Sequence, residues 1–219
     1  MSGVLLLSTH LSGSGHLARV AAIARAAAAM GGEATVVNGG APVPWIDRSG
    51  VGWRQLPPLH VRDLDFSTLL THEGAPAGAE YLAARREAVV GALRTLRPDV
   101  LVCELYPFGR RALAPEFEAA ISEALALGAR LVCSVRDLPE PPRKPGRPER
   151  AEAALRGRFA RVLVHGDARI ADFGEAWPGA ARLSDLLAHT GYVAEPPPPP
   201  AGDPEEALVA VGGGGLGRA

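Results

Sequence analysis

The sequence predicts an α/β fold, a Rossmann-like three-layer domain with a mostly parallel sheet covered by helices on both faces. Three observations predict it. Short apolar runs alternate with longer Ala-rich or amphipathic runs, as in successive βαβ units. The short runs are continuously apolar, which suits strands buried on both faces. Nearly every one of them ends in a polar residue, at the edge where an open parallel sheet binds its ligands.

The elements follow in chain order. VLLLST (4–9) is the first buried strand. HLARVAAIARAAAAM (16–30) is a helix with an apolar stripe of Leu17, Val20, Ile23, Ala24 and Ala27, stopped by Gly31 and Gly32. EATVVN (33–38) is a second strand, closed by Gly39 and Gly40. Residues 41–78 are irregular and punctuated by proline and glycine, with one strand in GWRQLP. Trp45, Ile46, Trp53, Leu59, Phe66, Leu69 and Leu70 fall there; they could cover the sheet edge or form an apolar lip for a ligand, and core packing is the expectation for them.

AEYLAARREAVVGALRTLR (79–97) is an amphipathic helix ended by Pro98. DVLVCEL (99–105), a helix over about 111–127, and ARLVCSVRD (129–137) continue the alternation. A basic, Pro-rich loop follows, then a helix over about 148–158, ARVLVHGD (160–167), a short helix, and LAHTGYV (187–193). EPPPPPAGDPEE (195–206) reads as a polyproline II spacer. ALVAV (207–211) then restarts a buried strand, followed by the glycine turn Gly212, Gly213, Gly214 and Gly215. The expected organisation is a first domain over 1–194, an interdomain linker over 195–206, and the start of a second α/β domain over 207–219.

Composition narrows the function. The 219 residues carry a formal charge of −1, which gives no reason to expect a nucleic-acid partner. Basic charge is almost all arginine, since Lys144 is the only lysine. Cys103 and Cys133 sit inside apolar runs and read as reduced, packed thiols of a cytoplasmic protein. No signal peptide and no membrane-spanning run is evident.

Gly13-Ser14-Gly15-His16-Leu17-Ala18 fits the dinucleotide pattern G-x-G-x-x-G/A in form. It starts too far beyond the first strand, however, and the second strand ends in Asn38 where a ribose-binding acid belongs. No Gly-Lys-Ser/Thr exists, so a P-loop is excluded. What remains is a glycine turn into a helix start, with His16 in the first helical turn. Polar residues end five strands: His10, Asn38, Glu104, the pair Arg136 and Asp137, and His165 with Asp167. A parallel sheet brings them to one rim, which makes them candidates for ligand contact.

STHLSGSGHLARVAAIARAAA (8–28), VRDL (135–138), RKPGR (143–147), VLVHGD (162–167), TGYV (190–193) and VAVGGGG (209–215) together resemble bacterial glycosyltransferases of the GT-B fold. The similarity is to a set of predicted transferases and, more distantly, to the N-acetylglucosaminyltransferase of peptidoglycan lipid-precursor synthesis. It implies that this chain is the N-terminal, acceptor-side half of a hexosyltransferase, inactive alone. Its missing partner would be the C-terminal domain that holds a nucleotide-sugar, of UDP type, as substrate rather than cofactor. No metal is expected.

By that resemblance His16 is the first candidate for the base, with Glu104 and Asp137 as alternatives. His10, Gly13, Gly15, Asn38, Arg110, Arg136, His165 and Asp167 would contact substrate, and Gly212–Gly215 would lie on the donor phosphate side. The acceptor would be a small molecule or lipid-linked, with peripheral contact at the inner membrane face. Arg143, Lys144 and Arg147 in the basic loop could touch phosphate or anionic lipid. A Rossmann-type nucleotide-binding enzyme and a stand-alone carbohydrate- or anion-binding module are the rival readings.

Overall fold

The structure is a computed structural model that describes residues 2–62, 65–142 and 144–194. The expected linker, the tail strand, Gly212–Gly215 and Arg143 lie outside the described residues. Strand β1 (Gly3–Ser8) leads to helix α1 (Gly15–Ala29), β2 (Glu33–Gly40), β3 (Gly52–His60) and the two-residue β4 (Leu70–Thr71). Helix α2 (Ala79–Leu96), β5 (Val100–Glu104), a 3-10 turn (Arg111–Leu113), α3 (Ala114–Ala126) and β6 (Arg130–Arg136) follow. Helix α4 (Arg147–Leu155), β7 (Phe159–His165), α5 (Phe173–Ala176), a second 3-10 turn (Ala180–Leu183) and β8 (Leu187–His189) complete the described chain.

The eight strands form one sheet in the order β4-β3-β2-β1-β5-β6-β7-β8, parallel except for the antiparallel pair β3–β4. From β1 the chain builds outward through β2 and β3, then returns to lay β5 against the other side of β1. That reversal makes the β1–β5 boundary the switch point, where the connections leave in opposite directions and open a crevice.

Consecutive leucines of β1 divide between two cores, because strand side chains alternate in direction. Leu6 packs with Val36, Val102 and the α1 stripe of Leu17, Val20 and Ala24 on one face. Leu5 and Leu7 pack with Val89, Leu93, Phe117 and Ile121 from α2 and α3 on the other. All three leucines are fully buried, and each such burial is worth roughly 1.5–3 kcal/mol. No helix among the described residues is long and apolar enough to cross a membrane.

Strand β3 runs further than GWRQLP suggests, through Pro57 and Pro58. The register between β2 and β3 moves from Asn38–Gln55 to Gly40–Leu59, so the prolines sit in a bulge that asks no ladder donor of them. Of the apolar residues gathered in 41–70, Ile46, Leu59, Leu69 and Leu70 join the core. Trp45 and Phe66 stay 66% and 43% exposed, contrary to the packing expected of them.

One polar device fastens the helices to the sheet's carboxyl edge. Arg85 of α2, fully buried, grips Glu116 of α3 with Nε and Nη2, each at 2.9 Å. Its Nη1 donates to the carbonyls of Gly39 and Pro57, and Nη2 reaches Thr9 Oγ1 at 3.4 Å. The ends of β1, β2 and β3 are therefore tied to one guanidinium, with its charge matched by Glu116.

Candidate active site

At the switch point the last residue of β5, Glu104, faces the first turns of α1. His16 and Arg19, one turn apart on α1, share a helix face, so both side chains reach the same carboxylate. His16 Nδ1 lies 2.8 Å from Glu104 Oε1, and Arg19 Nη2 lies 2.6 Å from the same oxygen. Arg110 Nη2 stands 3.9 Å from Oε2. The Glu104 side chain is 1% exposed and that of His16 is 28% exposed. Burial opposes ionisation of Glu104. The hydrogen bond and charge of His16 and the charges of Arg110 and Arg19 outweigh it, holding the pKa below the ordinary glutamate value.

An ionised Glu104 can only accept, so His16 must present Nδ1–H to it. In the neutral imidazole Nε2 then carries the lone pair, and it has no hydrogen-bond partner among the described residues. His16 borders two adjoining hollows of about 460 and 490 Å³. The first is bounded by Gly13, Gly15, Asp137 and Tyr192, the second by Leu105, Arg110, Arg111 and Arg147, and Arg136 borders both. A third hollow of about 360 Å³, between Trp45 and Ala194 on the flank of α1, contains neither His16 nor Glu104.

The loop after Glu104 is locally strained. Leu105 and Arg110 both hold left-handed backbone, with φ of 64° and 62°, at roughly 1–3 kcal/mol each. The Leu105 N–H donates to Ser134 O at 2.7 Å and its carbonyl accepts from Gly109 N at 2.7 Å. A Cβ on Gly109 would lie 2.7 Å from Leu105 Cδ2, so any larger residue in this turn would have to push the Leu105 side chain aside. The result turns Arg110 back over Glu104, where sequence spacing alone gives no reason to place it.

The other residues ending strands each make local hydrogen bonds, and His165 also borders the first hollow. His10 donates from Nε2 to Ala41 O at 2.9 Å, and burial lowers its pKa against that bond. Asn38 pins the β2–β3 corner, donating to Gln55 Oε1 at 2.9 Å and accepting from Gly40 N. His165 bridges Ser134 Oγ at 2.9 Å and Thr190 Oγ1 at 2.8 Å, and burial drops its pKa to about 4. Asp167 accepts from the backbone N–H and guanidinium of Arg169, which lower its pKa. Arg136 lies 57% exposed on the rim, with Nε 3.4 Å from Asp137 Oδ1. Among the residues expected at the site, the structure brings His16, Glu104, Arg110, Arg136, Asp137, His165, Gly13 and Gly15 around the hollows. Arg19 was missed; its signal was its place one turn after His16.

No protein-family model matches the chain, and no curated protein is similar to it in sequence. Solved structures are similar in shape. Apo UGT2 of Phytolacca americana superposes with a TM-score of 0.51 at 14% identity, covering 90% of this chain and 53% of that one. MurG of Acinetobacter baumannii gives 0.46 at 13% identity, covering 76% and 42%. A putative NAD-dependent epimerase/dehydratase from Methylobacillus flagellatus gives 0.42 at 16%, covering 81% and 62%. The likeness is one of fold. This chain has the Rossmann-like fold found in part of a GT-B glycosyltransferase, and it spans about half the length of the two glycosyltransferases above.

Proposed function

We propose that this chain is the N-terminal, acceptor-side part of a glycosyltransferase that moves a sugar from a nucleotide-sugar, of UDP type, to an acceptor hydroxyl. The observation that carries the reading is the His16–Glu104 pair at 2.8 Å, with the free Nε2 at the mouth of two hollows. Sugar transfer with inversion needs a base for the acceptor hydroxyl as it attacks the anomeric carbon. His16 Nε2 takes that proton, and Glu104 fixes the tautomer and faces the imidazolium that forms. The departing diphosphate would be met by positive charge and by helix-dipole donors of a second domain.

Packing argues against the dinucleotide reading. A Cβ on Gly39 would lie 2.1 Å from Thr9 Oγ1, and one on Gly40 would lie 2.4 Å from His10 Cδ2. Side chains from the end of β1 thus fill the space over the end of β2, where a cofactor ribose would sit.

The test is transfer from UDP-sugars by the complete gene product, with and without His16→Ala. The expected loss is about 10²–10⁴ in turnover, beside a stability loss of about 1–3 kcal/mol because buried Glu104 keeps only its arginine partners. Unchanged turnover would remove His16 as the base. Alone, the 219-residue chain should show no specific binding of UDP at sub-millimolar concentration by isothermal titration.

A further inference from the structure

The hollow on the Arg110 side of His16 carries more positive charge than the His16–Glu104 pair uses. Across the two adjoining hollows five arginines, Arg19, Arg110, Arg111, Arg136 and Arg147, meet three carboxylates, Glu104, Asp137 and Glu140, an excess of two positive charges. Two of these guanidiniums are held where like charge is costly. The Arg110 side chain is 8% exposed, its nearest carboxylate oxygen is 3.9 Å away, and its Nε has no partner among the described residues. A separation of 3.9 Å is longer than a hydrogen bond, so Arg110 is close to Glu104 without being satisfied by it.

Arg147 is clamped by donation to Phe108 O and lies over the Trp177 ring at 5.4 Å, with Nε also unpartnered. Burial lowers the pKa of both arginines. Arg19 adds to the effect on Arg110 and opposes Glu104 there, while Arg111 and Arg150 add to it on Arg147 and oppose Glu140. Beside His16, Ser67 and Glu140, the wall carries apolar side chains from Leu11, Phe66, Leu105, Phe108 and Leu113.

A carboxylate is satisfied by one guanidinium fork, whereas four guanidiniums bordering one hollow and an excess of two charges across the pair suit a dianionic group with three free oxygens. The apolar wall and a volume of about 490 Å³ add room for an organic body. We propose that this hollow binds the phosphate of an amphipathic phosphomonoester, with Arg110 at its floor and Arg111, Arg136 and Arg147 around it. Resting on the transferase reading, that molecule is the acceptor, its phosphate held beside the His16 that deprotonates its hydroxyl.

The probe is phenyl phosphate, titrated into the 219-residue chain by calorimetry at low ionic strength and pH 7.5. One-to-one binding is expected, with phenol, benzoate and inorganic phosphate each weaker by about tenfold or more. Arg111→Ala and Arg136→Ala change exposed side chains, so both should fold as the parent does and weaken phenyl phosphate about tenfold. Arg161→Ala, on an exposed position of β7, should leave it unchanged. Arg110→Gln should abolish binding, and the two exposed variants decide the matter if it fails to fold.

Hexyl phosphate binding more tightly than phenyl phosphate would support the site and assign an alkyl-chain source for the acceptor. The reverse order would support it with an aromatic or sugar-sized one. Absence of saturable binding at millimolar probe, or binding that Arg111→Ala and Arg136→Ala leave intact, would overturn the proposal. Inorganic phosphate binding equally well would overturn its amphipathic part, and benzoate binding more tightly would overturn the phosphate. Binding needs neither donor nor turnover, so its failure would leave the transferase reading standing, and a failed transfer assay would leave the binding result standing.

Discussion

Replacing Glu104 by glutamine preserves shape and removes one buried charge. In the native fold Oε1 receives the His16 Nδ1–H at 2.8 Å and Arg19 Nη2 at 2.6 Å, with Arg110 Nη2 at 3.9 Å from Oε2. Glu104→Gln leaves two crowded guanidiniums without their shared counter-charge, and removing one partner of such a buried pair costs about 3–5 kcal/mol. For a domain of this length 1 kcal/mol moves the melting temperature by about 2–4 °C, so a fall of roughly 6–20 °C is expected at pH 7.

The loss should depend on pH with a definite sign. The folded pKa of Glu104 lies below its ordinary value of 4.5, so between the two the unfolded chain binds the proton and the folded chain does not. The parent's advantage is therefore complete above about pH 4.5 and disappears as pH falls through the folded pKa. Calorimetric melts of parent and variant from pH 8 downward measure it, because contributions common to both cancel in the difference. Equal melting temperatures at pH 7, or a gap that acid does not narrow, would refute the ionised, triply contacted Glu104.

Four further outcomes are expected. Gly40→Ala should destabilise by about 1–3 kcal/mol in urea melts, since its Cβ would lie 2.4 Å from the His10 backbone oxygen, which cannot swing away; NADH fluorescence should not change on titration with the parent. His165, with a folded pKa of about 4 against an ordinary 6.5, should show neutral ring signals by NMR from pH 8 to 5. Its contribution to stability is full above pH 6.5 and declines as pH falls toward 4, because the unfolded chain takes the proton first, and His165→Phe should remove that slope. Cys103 and Cys133 are fully buried, with burial pushing both thiols up, so a thiol reagent should modify neither until denaturant is added.

The sheet was legible because its signal is local. Leu5, Leu6 and Leu7 are apolar in sequence and buried on two faces in space, and the same holds for Leu101, Val102 and Cys103. The bulged half of β3 and the two residues of β4 were not legible, since proline argues against a strand until a partner's register is known. The polar strand ends were legible as a set but not in their division of labour. His16 and Glu104 meet across the switch point, while His10 bonds a loop carbonyl, Asn38 the Gln55 side-chain amide, and His165 two hydroxyls.

Arg19 and Arg85 show where that division comes from. Arg85 stands four residues before Val89 and eight before Leu93 on the buried stripe of α2, and Glu116 stands beside Phe117 on that of α3. Helical periodicity therefore says that both charges are buried, and burial says that each requires a partner. It does not say which partner, because the answer lies in how α2 and α3 pack together. Arg19 is the same problem at the site. One turn after His16 it must share that residue's surroundings, yet its carboxylate arrives from β5, 85 residues away. Arg110 reaches the same carboxylate only through left-handed backbone at its own position, a conformation that no property of an arginine announces. A charged side chain on a buried stripe is thus a statement about topology, readable as a demand from the sequence and as an answer only once the strand order is known.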